Sequence, residues 1–203
     1  ELKTPYLDKY TDNLSAKGAK KSDDYQVYGR DKEVQAVIIS LLRRTKNNPI
    51  LVGEAGVGKT AIVEGLTLAI VREQVPESLK GLTVRSLELS SLMSEDDGGF
   101  IAKFKKIIEE MVATRGHNLL FVDEFHTIVG AGGQAGQALD AGNVIKLVLA
   151  RVDIQLICAT TFDELHVSVE TDRALYLRLQ PVIVEVHILP QAISIIYHVR
   201  GNY

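Results

Sequence analysis

Cysteine is nearly missing from this chain: its 203 residues hold one, Cys158. An internal disulfide is excluded and no thiol cluster is available for zinc, a usage that suits a reducing compartment. Long apolar runs are missing as well. None approaches the roughly 20 residues of a membrane span, and the opening "ELKTPYLDKY" lacks the basic and apolar blocks of a signal peptide. The expected setting is cytoplasmic, with no membrane partner. A surplus of one charge is also lacking. The 23 basic residues face 26 acidic ones, a formal net charge of -3, too balanced to draw a polyanion, so nucleic acid is not an expected partner. No internal repeat or low-complexity tract is found.

What is present is a hydrophobic content of 46%, enough for one sizeable core. Residues 1–26, polar and lysine-rich through "NLSAKGAKKSDDY", read as an N-terminal arm or linker. From Asp31 onward, Val34, Val37, Ile38, Leu41 and Leu42 recur at the three- and four-residue steps of a helix face, which "NNP" then stops. "TAIVEGLTLAIVREQ" and "FIAKFKKIIEEMVATR" are helical in character, and "LTVRSLEL" alternates as a strand does. "NLLFVDE" and "IQLICATT" are short apolar runs ending in polar residues, as buried parallel strands do when their carboxyl ends line a site. The alternation predicts a doubly wound α/β sheet. "VGAGGQAGQALDAG" reads as a mobile glycine-rich loop.

After the apolar "PILV" comes "GEAGVGKT", with Gly53, Glu54, Ala55, Gly56, Val57 and Gly58 leading into Lys59, Thr60 and Ala61. A strand, then G-x-x-x-x-G-K-T, then a helix offers successive backbone N–H groups and a helix N-terminus to a polyphosphate. Lys59 adds a mobile positive charge and Thr60 a hydroxyl for magnesium. "LLFVDE" supplies the complement, putting Asp123 at a strand end where a carboxylate near magnesium is needed. Glu124, one residue on, is set to orient or deprotonate a water in line with the terminal phosphate, which argues for hydrolysis. Thr161, ending "ICATT", can bond the terminal phosphate or the attacking water if its strand lies between those carrying the loop and Asp123. On local grounds it is also a helix N-cap ahead of "DELHVSV". His126 reads as a hydrogen-bonded loop histidine, since no second histidine or cysteine shares metal spacing with it, and Cys158 as core.

Taken together, "VYGRDKEV", "RRTKNNPILVGEAGVGKTAIVEGL", "VPESLKG", "LLFVDEFHTIVGAG", "LDAGNVIK" and "ICATTFDEL" resemble, in order, the first nucleotide-binding domain of the Clp family of AAA+ unfoldases and disaggregases. The resemblance covers nearly all of residues 27–185. It implies an α/β P-loop NTPase of the AAA+ type, a parallel sheet sandwiched by helices, with ATP or ADP and Mg2+ as cofactors. It also implies a homo-oligomeric ring, expected to be a hexamer, that threads misfolded or tagged proteins. Val27, Tyr28 and Gly29 match the segment laid against adenine. Lys59 and Thr60 match the phosphate lysine and magnesium hydroxyl, Asp123 the metal carboxylate, Glu124 the catalytic glutamate and Thr161 the sensor of the terminal phosphate.

Two positions depart from that pattern. Family rings complete each site with paired arginines from the neighbouring subunit; the aligned "DRALYLRL" gives Leu177 and Arg178, leaving Arg178 as the finger. Asp96, in "MSEDDGGF", stands where a pore tyrosine is expected. The division implied is an arm at 1–26, a large α/β subdomain at 27–189 and, in "PQAISIIYHV", the start of a helical lid at 190–203. The lid is otherwise lacking, so little ATPase activity is expected of this fragment alone. A rival reading is an assembly module in which ATP occupancy holds a ring together and turnover is secondary. A nucleic-acid motor on the same fold is disfavoured by the acidic balance, and a GTPase by the lack of a guanine-reading aspartate in "TKNN".

Overall fold

A computed structural model describes residues 3–94, 98–129, 135–150 and 154–186, with backbone alone over 135–141. Five strands run parallel: β2 (Asn48–Val52), β3 (Thr83–Leu87), β4 (Asn118–Val122), β5 (Leu156–Thr160) and β6 (Leu179–Ile183). A sixth, β1 (Thr11–Asn13), pairs antiparallel with β3, so the order across the sheet is β1-β3-β4-β5-β2-β6.

Strand side chains alternate between two cores because successive residues point to opposite faces. Ile50, Val52, Leu120, Val122, Leu156 and Cys158 feed one core; Leu51, Leu119, Phe121, Ile157 and Ala159 feed the other. The second core is covered by α3 (Asp31–Leu41) and α4 (Lys59–Val71), the first by α6 (Gly99–Ala113) and α8 (Ala135–Ala150). Asp31 and Glu33 favour the start of α3 by meeting its positive end. In α6, Phe100, Phe104, Ile107, Ile108 and Met111 share one buried face, with the first two rings stacked 6.1 Å apart. Each such side chain, fully buried, contributes roughly 1.5–3 kcal/mol.

Two expectations are corrected. The amino-terminal segment is no extended arm: α1 (Pro5–Tyr10) buries Leu7 and Tyr10 in the first core, β1 joins the sheet, and α2 (Leu14–Gly18) packs on α4. Further along this segment, Lys21 pairs with Glu64, the Tyr25 hydroxyl donates to Glu64 Oε1 at 3.0 Å, and Arg72 Nη2 donates to the Tyr25 carbonyl at 2.7 Å. The glycine-rich stretch is in part helical, since α8 begins at Ala135. Gly142 lies inside α8, where a Cβ would sit 3.4 Å from Val129 Cα at the end of α7 (His126–Val129). Asp96 and the segment 190–203 lie outside the described residues.

Candidate active site

The site is assembled where β2, β5 and β4 end side by side. Val52 is in register with Thr160, and Val122 with Cys158, so β5 sits between the strand that leads into the glycine loop and the strand that leads into Asp123. That is the condition under which Thr161 reaches both.

The loop itself is shaped by glycine. A Cβ at Gly53 would lie 2.5 Å from the Val184 carbonyl oxygen, closer than any side chain can sit, and the Gly53 N–H donates to the Thr160 carbonyl at 3.2 Å. Gly56 and Gly58 adopt φ of +75° and +108°, conformations that L side chains rarely take. Val57 N–H closes a turn on the Glu54 carbonyl at 3.3 Å, and α4 starts immediately after Gly58. Lys59 Nζ donates to the Gly53 and Glu54 carbonyls at 2.6 and 2.9 Å, which folds the ammonium over the loop. Thr60 is exposed in the first turn of α4, where helix N–H groups have no helical partner.

Asp123 and Glu124 are both exposed just beyond β4. Asp123 Oδ1 accepts the Glu124 N–H at 2.8 Å, which orients the carboxylate and leaves its other oxygen for a cation. Glu124 has φ of +48°, the left-handed region, which costs an L residue about 1–2 kcal/mol. The turn is held on both sides: Phe125, fully buried, donates its N–H to the Ala159 carbonyl at 2.9 Å, and Thr127 N–H to the Glu124 carbonyl at 2.8 Å. Thr161 caps α9 (Phe162–Glu164), its hydroxyl accepting the Glu164 N–H at 3.4 Å. The hydroxyl hydrogen is left to donate elsewhere, so cap and sensor are compatible in one side chain. His126 Nδ1 lies 3.1 Å from Thr160 Oγ1, a tie between the β4 and β5 ends. Burial pushes the Cys158 thiol well above its usual range, which removes it as a nucleophile.

The donor set fits a magnesium-bound polyphosphate: a glycine cradle that a Cβ would fill, a helix N-terminus, one ammonium, one hydroxyl and a carboxylate with a free oxygen. The ATPase family associated with various cellular activities (AAA) matches residues 49–178, from the strand before the loop to Arg178. The chain belongs to this family. Among individual AAA relatives, it is 45% identical over 199 residues to the chaperone protein ClpB of Corynebacterium diphtheriae and 49% identical over 179 residues to that of Meiothermus ruber. It is 47% identical over 202 residues to the ATP-dependent Clp protease ATP-binding subunit ClpC of Staphylococcus saprophyticus. These alignments take in 97%, 87% and 98% of this chain but only 23%, 21% and 24% of the relatives. The S. cerevisiae Hsp104-ADP complex superposes with a TM-score of 0.85, and a closed-state reconstruction of Hsp104 with ATPγS and FITC casein with 0.83. Both are 34% identical and are covered to 34% of their length by 98% of this chain.

Within this AAA domain, Val27–Gly29 lie before the matched span. Val27 packs beside Gly65 in the second turn of α4, at the rim of a cleft of about 600 Å³ that is also lined by Asp31, Val34 and Gln35. Arg178 is not brought to the loop. It follows α10 (Arg173–Tyr176) and comes one residue before Leu179, which is level with Asn48, while Gly53 lies past the other end of the β2–β6 pair. Five residue steps along a strand separate Asn48 from Gly53 by roughly 16 Å. Leu177 is exposed beside it. The segment is anchored by Asp172, which pairs with Lys146 of α8 and accepts the N–H groups of Ala174 and Leu175 at 3.0 and 3.3 Å. Burial alone would raise the Asp172 carboxyl, but Lys146 and those N–H groups outweigh it and hold it below the usual carboxylate range.

Sequence reasoning missed three supporting groups. Lys103, fully buried in α6, donates to the Ser94 carbonyl and hydroxyl at 2.6 and 2.7 Å and so anchors the chain between α5 (Leu89–Leu92) and the acidic "EDD". The Lys146–Asp172 pair and the buried Arg30 are the others. Arg30 stood inside the quoted "VYGRDKEV", but no local period marks its partners.

Proposed function

We propose that this chain is the ATP-binding and ATP-hydrolysing motor domain of a ring-forming protein remodeller that unfolds or disaggregates misfolded or tagged proteins in the cytoplasm. The observation that carries the reading is the strand order: β5 between β2 and β4 gathers the phosphate loop, the acidic pair and Thr161 at one edge. In this reading Gly53–Gly58 present N–H groups to the phosphates, Lys59 neutralises them, and Ala61 continues the helix behind. Thr60 and the free oxygen of Asp123 hold Mg2+, which when bound supplies charge to the phosphate oxygens. Glu124 takes the proton of the attacking water and the Thr161 hydroxyl donates to the terminal phosphate. Val27, Tyr28 and Gly29 flank the adenine of ATP or ADP.

Arg178, level with the far end of β2, cannot serve its own loop, so in a ring it completes the site of a neighbouring subunit. The likeness to ClpB, ClpC and Hsp104 supports a homo-oligomeric ring, taken as a hexamer, with protein substrates. It also supports a large α/β subdomain over 27–189, extended by the packed residues 5–18, with a lid starting at 190–203. The exposed Leu177, in place of one arginine, favours a second reading: an assembly module in which ATP occupancy holds the ring and turnover is secondary. In the natural full-length protein, Glu124→Gln should retain ATP binding and abolish turnover, a loss of about 10²–10⁴ for a general base. Persistent hydrolysis would dismiss Glu124 as the base. Loss of turnover with intact remodelling of a model substrate would favour the assembly module.

A further inference from the structure

Arg30 is 3% exposed, although arginine is almost never that buried unless paired. Its Nη1 donates to Glu33 Oε1 at 2.8 Å and to the Glu185 carbonyl at 3.0 Å, and its Nη2 donates to the Val57 carbonyl. Gly58 lies against the same guanidinium, where a Cβ would be 3.0 Å from Nη2. Glu33 supplies the counter-charge without which a buried guanidinium would be strongly unfavourable. Glu185 lies just beyond β6, and its neighbour Val184 is the residue whose carbonyl presses on Gly53 and whose N–H donates to the Val52 carbonyl at 2.8 Å. Both ends of the phosphate loop therefore lean on the chain leaving β6, one directly and one through Arg30.

A peptide unit is planar and trans, so the Val57 carbonyl and the Gly58 N–H point in opposite directions. Drawing the carbonyl toward Arg30 turns the N–H away from it. We propose that Arg30 is a positioning residue of the nucleotide site: it holds the Val57–Gly58 peptide with its N–H presented to phosphate and ties the loop to the exit of β6. It touches no nucleotide, and its role rests on the nucleotide reading above. A lysine cannot replace it, because one ammonium on a flexible stem does not span two carbonyls and a carboxylate as a planar fork does.

The test is a titration of the natural full-length protein with fluorescently labelled ADP, alongside its thermal midpoint without nucleotide. Arg30→Lys is expected to weaken binding about tenfold, the loss of one hydrogen bond to a charged group, in a protein whose midpoint is little changed. A role in stability alone would lower the midpoint and leave the affinity as it was, and that result overturns the inference. Lys59→Ala runs as the control and is expected to lose at least about tenfold. If Lys59→Ala weakens binding and Arg30→Lys does not, the Arg30 assignment fails and the site stands. If Lys59→Ala has no effect, the nucleotide reading itself fails, and Arg30 with it. Should Arg30→Lys not fold, Glu33→Gln decides: it keeps an oxygen acceptor against the guanidinium while loosening its hold, so about threefold weaker binding by the folded variant supports the role and unchanged binding overturns it.

Discussion

The carboxyl edge of the sheet and the Asp172–Arg178 segment are built by different means. At the edge, geometry is set by backbone: Gly53 with no room for a Cβ, Gly56 and Gly58 at positive φ, and Glu124 held in a left-handed turn by its neighbours' N–H groups. In the Asp172 segment, side chains on the surface do the holding, through a pair with Lys146 and a cap on α10. A site that binds phosphate within one chain needs donors fixed before the ligand arrives. A group that serves a neighbour, the role proposed for Arg178, has only to project from a firm base, and Arg178 sits half-buried just before β6. The contrast teaches that one edge should respond to substitution in its chemistry and the other in its assembly.

The sharpest way to break this division is Arg178→Ala. Arginine fingers supply about 10³–10⁵ in rate where they act in phosphoryl transfer, so turnover of the full-length protein should fall by that order while nucleotide affinity of the dissociated subunit stays unchanged. Mixing experiments sharpen it further: Arg178→Ala subunits should be rescued by neighbours that carry the arginine. A loss of affinity in the isolated subunit would put Arg178 in its own chain's site, against the strand register.

A smaller effect separates placement from stability at Glu124. Glycine relieves an unfavourable φ worth about 1–2 kcal/mol but gives back roughly 0.5–1 in unfolded-state entropy. Glu124→Gly should therefore unfold a little later than Glu124→Gln, by about 0.5–1 kcal/mol or a few degrees at most, with both inactive. Equal midpoints, read by scanning calorimetry, would mean that the left-handed turn costs the fold no more than the roughly 0.5–1 kcal/mol that glycine gives back.

Much of this edge was legible because its motifs are contiguous. "GEAGVGKT" and "LLFVDE" name their own chemistry, whereas Thr161 stayed conditional, since a run such as "IQLICATT" declares a strand but not which strands it lies between. The supporting groups were invisible for the same reason. Arg30 meets Val57 and Glu185, Asp172 meets Lys146, and Lys103 meets Ser94, none at a spacing that a periodic pattern records. The amino-terminal misreading has another origin. Its elements are six, three and five residues long, shorter than the window over which hydrophobic periodicity can be judged, so Leu7 and Tyr10 looked like isolated apolar residues in a polar stretch. In "VGAGGQAGQALDAG", glycine signals a loop by composition, yet from Ala135 the stretch is helical and Gly142 lies inside α8.

The smallest expected effect concerns the anchor of the Asp172 segment. Because its carboxyl titrates below the usual range in the folded protein, Asp172 adds stability that is fully present above the unfolded value of about 3.9 and is lost as pH falls through the folded one. A half-buried surface pair of this kind contributes about 0–1 kcal/mol. Asp172→Asn should thus lower the midpoint slightly at neutral pH and not at all at the acid end of an acid titration. A deficit that persists at low pH would assign the effect to packing around position 172 instead of to the charge, since asparagine caps α10 as well as aspartate does.

The antiparallel strand β1 has a consequence for self-association. Without it, the open side of β3 would present a row of unpaired N–H and C=O groups to any extended chain nearby, the template on which sheets grow from one molecule to the next. Three residues, Thr11, Asp12 and Asn13, occupy that side instead. They are too few, too polar and, at Asp12, too charged to pass the pairing on, so the sheet is finished at that side by a strand that recruits nothing further.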